Sequence, residues 1–277
     1  MPGLNEAGDQ FGFAVAISGG FPGLGMTAAA GAPGEDIAGV SDAGAVTIFD
    51  TQFGIGLVPQ SPSIYLGAPA SGVRPNIDGF FQTDDRFGFH LSSDPTTTLI
   101  VIGSPFVDLV GTDAGVVHIY GAPTTAGDPP IADPFFQLPD DQAPGNLYGY
   151  STDFKIVGGQ LSLAVGAPGA TVNGQPGAGA LDIATSAGDF LITQADPGVP
   201  GNAEAGDGFG VYVDGLADGT LFATAPGEDI GSKTDVGYAT LLFGEGITDP
   251  GGLGAVGVHQ DSAGVAGIGE SGDRWGS

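Results

Sequence analysis

Apolar residues in this chain come in short bursts closed by Gly, Pro, Asn or Asp, and no stretch sustains the period of about 3.6 residues that marks a helix. The segment 28–49, AAAGAPGEDIAGVSDAGAVTIF, is typical. A run of small apolar residues ends at Gly31-Ala32-Pro33, an acidic loop follows, and an alternating run occupies Ala45 to Phe49. Between residues 145 and 200 the same reasoning predicts strands at Tyr148–Ile156, Leu161–Gly166, Gly179–Thr185 and Phe190–Gln194. All are strand-length runs rich in aromatic and β-branched residues between turn formers.

The pattern recurs. An aromatic-glycine pair after an acidic turn stands in GDQFG (8–12), DDRFG (84–88), GNLYG (145–149), GDGFG (206–210) and GDRWG (272–276), with final glycines 76, 61, 61 and 66 residues apart. Inside each interval lie a second signature, AAAGAP, IVIGSP, LAVGAP and LFATAP, and a third, GAVTIF, GVVHIY, GALDIA and GYATLL. Four short strands per unit, repeated at this spacing, is the arithmetic of propeller blades. The units run approximately over 9–75, 84–140, 145–200 and 206–262, and 263–277 reads as the start of a further unit or as ring closure.

Composition supports a turn-rich β protein. The chain has 277 residues with 53 Gly and 21 Pro, which disfavours long helices. Its 41% apolar content and 17 Phe argue against disorder. The formal charge of −27, with only five basic residues, excludes nucleic acid and anionic membrane surfaces as partners. There are no cysteines, hence neither disulfides nor thiolate metal sites. No apolar run approaches the roughly 20 residues of a membrane span, so membrane insertion is not expected. Repeat-like sequence starts within the first dozen residues and leaves no visible signal peptide; for an exported protein this predicts a mature or trimmed chain.

The ordered pair Phe-Gly then Gly-Ala-Pro, four times in register over essentially the whole chain, resembles the FG-GAP repeat, the blade unit of integrin α-subunit propellers and of many bacterial extracellular proteins. The resemblance implies an all-β propeller of four-stranded antiparallel blades in an extracellular or cell-surface protein. Each aromatic (Phe11, Phe87, Tyr148, Phe209, Trp275) is expected to plug the space between blades. Each following glycine (Gly12, Gly88, Gly149, Gly210, Gly276) should let a second backbone approach. Pro33, Pro105, Pro168 and Pro226 should end strands where no ladder bond is needed. Integrin relatives carry seven blades. Four units leave a small closed ring, an open array, or a ring completed by another copy.

Candidate chemistry centres on three acidic loops, where Asp36 and Asp42, Asp108 and Asp113, and Asp229 and Asp235 fall at matching places, while the third unit has GATVNGQPGAG. These residues read either as turn formers that bond nearby amides or as a weak calcium site, calcium taking roughly six to eight oxygens. Integrin-type propellers place calcium in a DxDxDG-like loop between the first two strands of a blade. The corresponding segments, SGGFPGLGM, SSDPTTT, IVGGQ and VDGLADGT, lack it; Asp214 and Asp218 come nearest. GLGAVG and GIGESG match a dinucleotide fingerprint by glycine content alone, since neither opens a helix in a βαβ unit. His90, His118 and His259 are dispersed over different units, and no nucleophile or zinc motif is present.

The expected function is therefore a non-catalytic recognition or adhesion module, presenting loops to a protein or carbohydrate ligand. Phe80-Phe81 and Phe135-Phe136 are candidate anchors. The alternative is a structural module that assembles with copies of itself in a surface layer or appendage. An accessory part of an extracellular hydrolase is the third reading.

Overall fold

The computed structural model describes residues 6–19, 27–52, 56–59, 82–108, 111–121, 131–136, 143–157, 159–185, 188–215, 218–243 and 254–277. Phe80-Phe81 lie outside this set, as do the side chains of Phe135-Phe136. Among the described residues every regular element is a strand, and the strands form four antiparallel sheets of four strands each.

Sheet I holds β1 (Val15–Ser18), β2 (Thr27–Ala32), β3 (Ala45–Gln52) and β4 (Gly56–Pro59). Sheet II holds β5 (His90–Ser93), β6 (Leu99–Ser104), β7 (Val116–Gly121) and β8 (Ile131–Phe136). Sheet III holds β9 (Ser151–Val157), β10 (Gln160–Ala167), β11 (Ala180–Thr185) and β12 (Gly188–Ile192). Sheet IV holds β13 (Val213–Gly215), β14 (Leu221–Ala225), β15 (Tyr238–Phe243) and β16 (Gly254–Val258). In each sheet the strands pair in chain order, an up-and-down meander. The chain clusters into two compact units, Met1–Pro144 with sheets I and II, and Gly145–Ser277 with sheets III and IV.

Side-chain size explains how the strands pack. β2 reads TAAAGA and is buried on both faces. Small side chains there let neighbours approach from either side, where alternation would leave one face wet. In the first unit Ala16, Ala29, Val46 and Ile48 of sheet I meet Leu91, Ile100 and Ile102 of sheet II in one core. In the second, Ala164, Leu181 and Ile183 of sheet III meet Val213, Leu221, Ala223 and Leu242 of sheet IV. The faces of successive sheets are thus buried against one another within each unit.

The first strand of each sheet starts later than its aromatic residue. The run expected from Tyr148 begins as β9 only at Ser151. The cause is backbone conformation. In all five copies of the aromatic turn, φ is positive at the first, third and fifth positions: +117°, +55° and +85° at Gly8, Gln10 and Gly12, and +87°, +49° and +96° at Gly272, Arg274 and Gly276. The copies led by Asp84, Gly145 and Gly206 behave alike. A strand cannot contain residues in the left-handed region, so the motif is a turn.

Candidate functional site

In an up-and-down sheet, the turn before the first strand and the loop between the second and third strands lie at the same end. The aromatic turns and the acidic loops therefore meet there. The loops are pinched at the neck: the amides of Gly44, Gly115 and Gly179 donate to the carbonyls of Glu35, Val107 and Ala170, and that of Gly237 donates to Glu228. Inside three of them sits a miniature hairpin, with reciprocal amide–carbonyl bonds between Ile37 and Val40, Val172 and Gln175, and Ile230 and Lys233. Ala38-Gly39 and Asn173-Gly174 turn the first two with positive φ at both central residues, as a type I′ turn requires.

The paired aspartates have the same geometry in all three acidic loops. The Asp42 amide donates to Asp36 Oδ1 at 2.9 Å, that of Asp113 to Asp108 Oδ1 at 2.7 Å, and that of Asp235 to Asp229 Oδ1 at 2.9 Å. The second aspartate always sits in the left-handed region, with φ +52°, +54° and +50°. The third unit has Gly177 at that position, with φ +66°. One Asp thus accepts an amide and its partner fills a position that otherwise calls for glycine.

The next repeat's aromatic turn lies on this loop. The amides of Asp84, Arg86 and Phe87 donate to the carbonyls of Ser41, Asp42 and Ala43. Gly206, Gly208 and Phe209 do the same to Pro176, Gly177 and Ala178, and Gly272, Arg274 and Trp275 to Thr234, Asp235 and Val236. Phe87 and Phe209 are fully buried, while Phe11, on the first sheet, is half exposed. A Cβ on Gly31 would come within 2.2 Å of the Gly88 carbonyl oxygen, and one on Gly166 within 1.9 Å of that of Gly210. Within each unit, the glycines of the two signatures are therefore the contact point of its two sheets. In sheet IV the first of these glycines is replaced by Thr224, and the position of a Cβ on Gly276 lies 3.0 Å from the Thr224 Cβ.

Carboxylates crowd this end of the sheets. Asp85 and Asp207, the second residues of their turns, are buried and accept the amides of Gln82 and Glu204. Burial raises each to about 6, and Asp108 adds to the shift at Asp85. For Asp207 the charges of Glu204, Asp229 and Asp235 add to burial. Glu228 is buried, accepts a 2.5 Å bond from Gln194 Nε2 and is pushed up to about 7, mainly by burial. Glu35, in the matching position, is raised by burial and then by Asp9, Glu6 and Asp36. Both glutamates lie in the loops that the sequence marks as acidic turns. The column offered a signal, since its other members are Val107 and Ala170, two apolar residues that are likewise buried.

The donor set does not fit a dedicated calcium site. The loops offer two or three carboxylates each; one aspartate already holds an amide, and the glutamate, where present, is buried. Among the described residues no group of three or more His, Asp or Glu could hold a metal ion. Asp94, between the first two strands of sheet II, is buried and holds the amide of Thr96 at 2.7 Å. Asp218 holds the amide of Thr220. His90 and His118 lie in β5 and β7, His259 just after β16. His118 is buried against Phe87, with ring centroids 5.4 Å apart and neither nitrogen partnered among the described residues, and burial lowers its pKa to about 3. Asp182, at the same position of β11, instead accepts the Tyr148 hydroxyl at 2.7 Å.

No protein-family model matches the chain, and no curated protein matches it.

Proposed function

We propose that the chain is a non-catalytic recognition module of FG-GAP type, extracellular or at the cell surface, whose sheets are propeller blades presenting acidic loops to a partner protein with a basic surface. The observation carrying this reading is the construction of the loops. The same pinched neck and the same Asp-to-amide bond recur in three units, so the exposed Asp108 and Asp229, the half-buried Asp42 and Asp113, and Asp235, which pairs with Arg274 at 3.5 Å, stand on loops already ordered before any partner arrives. A preorganised loop loses little entropy on binding, and a charge of −27 favours basic partners and fast encounter. The test is binding to a panel of basic proteins and peptides at increasing salt, with the triple variant Asp42→Asn, Asp113→Asn, Asp235→Asn alongside. Salt-sensitive binding that weakens in the variant is expected. Binding indifferent to the loops, or turnover of glycoside or phosphoester substrates, would refute the proposal.

A second reading, a structural module that assembles with copies of itself, is favoured by a separate observation: sheet IV exposes Phe222, Leu241 and Val256, and the first strand of sheet I exposes Val15 and Ile17.

A further inference from the structure

We infer that the exposed face of sheet IV is a docking surface for sheet I of a second copy, giving a head-to-tail contact. The covered faces within each unit supply an internal standard. Phe222 and Leu241 of sheet IV occupy the places of Ala29 and Ile48 in sheet I and of Ala164 and Ile183 in sheet III. Those four are at most 2% exposed because the next sheet covers them; Phe222 and Leu241 are both 37% exposed. They lie in one cross-strand row with Val256, which is 49% exposed.

Sheet I carries the reciprocal half. The residues that pack a sheet onto its predecessor include Leu91 in sheet II and Val213 in sheet IV, which are 6% and 3% exposed. Their counterpart Val15 is 68% exposed, and Ile17, on the same face, 61%. One chain therefore displays both halves of an interface that it builds elsewhere within itself.

Side-chain volumes select this occupant. At the covered interface of the first unit, Ala29 faces a sheet carrying Ile100 and Ile102. Sheet IV has the bulky Phe222 where Ala29 stands; sheet I has the small Ala28 and Ala30, 8% and 7% exposed, where Ile100 and Ile102 stand, and they pair with the exposed Ile17 and Val15 of β1. Large against small restores the volume match that close packing demands. The Trp275-Gly276 turn already lies on sheet IV as Phe87-Gly88 lies on sheet I. The docked copy thus contributes β1 and β2 while its own half-exposed Phe11 turn stays outside. A heterologous contact of this kind closes a ring or propagates, according to its rotation.

The chain has no cysteine, so introduced thiols report without background. Ile17→Cys and Leu241→Cys chains, each at an exposed position, are mixed under mild oxidation while light scattering follows the wild type over a range of concentrations. A wild-type mass that rises with concentration, a disulfide-linked dimer from the mixture and none from either variant alone are expected. Val15→Glu or Phe222→Glu should weaken association at least about tenfold with an unchanged circular dichroism spectrum. A wild type that stays monomeric throughout, self-linking of either variant as efficient as in the mixture, or association indifferent to both glutamates would overturn the inference.

Discussion

Gly166 and Gly210 should be the least replaceable residues of the second unit, and a three-variant series separates the reasons. Gly174 has φ +83° and nothing within 4 Å of an added Cβ, so Gly174→Ala probes the backbone alone. A left-handed non-glycine residue costs roughly 1–2 kcal/mol. Gly166 has no left-handed φ, but its Cβ would lie 1.9 Å from the Gly210 carbonyl oxygen and 2.5 Å from Ser151 Oγ. That hydroxyl already donates to the Gly210 carbonyl at 2.8 Å, so neither obstacle moves freely. Relief requires sheets III and IV to separate, at the roughly 1–3 kcal/mol or more of an overpacked core. Gly210 combines φ +91° with a Cβ 2.6 Å from the Ala180 carbonyl oxygen. Summing the two effects gives about 2–5 kcal/mol for Gly210→Ala. Urea unfolding, followed by fluorescence of the single tryptophan, Trp275, should rank the losses as Gly174, then Gly166, then Gly210. A Gly166→Ala variant no less stable than Gly174→Ala would refute the close-approach argument.

Three further outcomes follow from the buried polar groups and the loops. Glu228 is raised from 4.5 to about 7, so its contribution is fully present below pH 4.5 and is lost as pH rises through 7; Glu228→Gln should match the wild type near pH 4 and melt higher at about pH 8. His118 is lowered from 6.5 to about 3, so its contribution is present above pH 6.5 and fades as pH falls; His118→Phe should be at least as stable at neutral pH and lose less in acid, read by melting temperature across the range. Asp235→Gly should change stability by no more than about 0.5 kcal/mol, because Gly177 fills the matching position, whereas Asp229→Ala should lose about 1 kcal/mol with its bond to the Asp235 amide, both measured by urea midpoint.

The strands were legible because their signals are local. In sheet III the expected runs and the observed strands differ by three residues or fewer at each end. The largest difference is at Tyr148, whose aromatic character suits a strand while the left-handed residues on either side of it do not. Positive φ at Leu147 or Arg86 is imposed by amide bonds and packing that a single-residue preference does not encode. The acidic loops were half legible. Carboxylates at matching places were visible, but the amide of Asp42 reaching back to Asp36 was one of two open readings. The burial of Glu35 and Glu228 was signalled only by the apolar Val107 and Ala170 at the matching places, since glutamate in a glycine-rich loop ordinarily faces water. His118 and Asp182 share a β-strand column with Thr47 and Thr240, a polar column that is buried in every copy. Only the fold shows that it faces inward.

The Phe87, Phe209 and Trp275 turns are clasped by the loops of the preceding sheets within their units, and hydrogen exchange at single-amide resolution tests that clasp directly. The amides of Arg86 and Phe87, and of Gly208 and Phe209, are bonded to the preceding loops, so they should exchange as slowly as the strands that follow, while the amide of half-exposed Phe11 should exchange fast. Amides at Phe87 and Phe209 exchanging as fast as that of Phe11 would contradict the clasp.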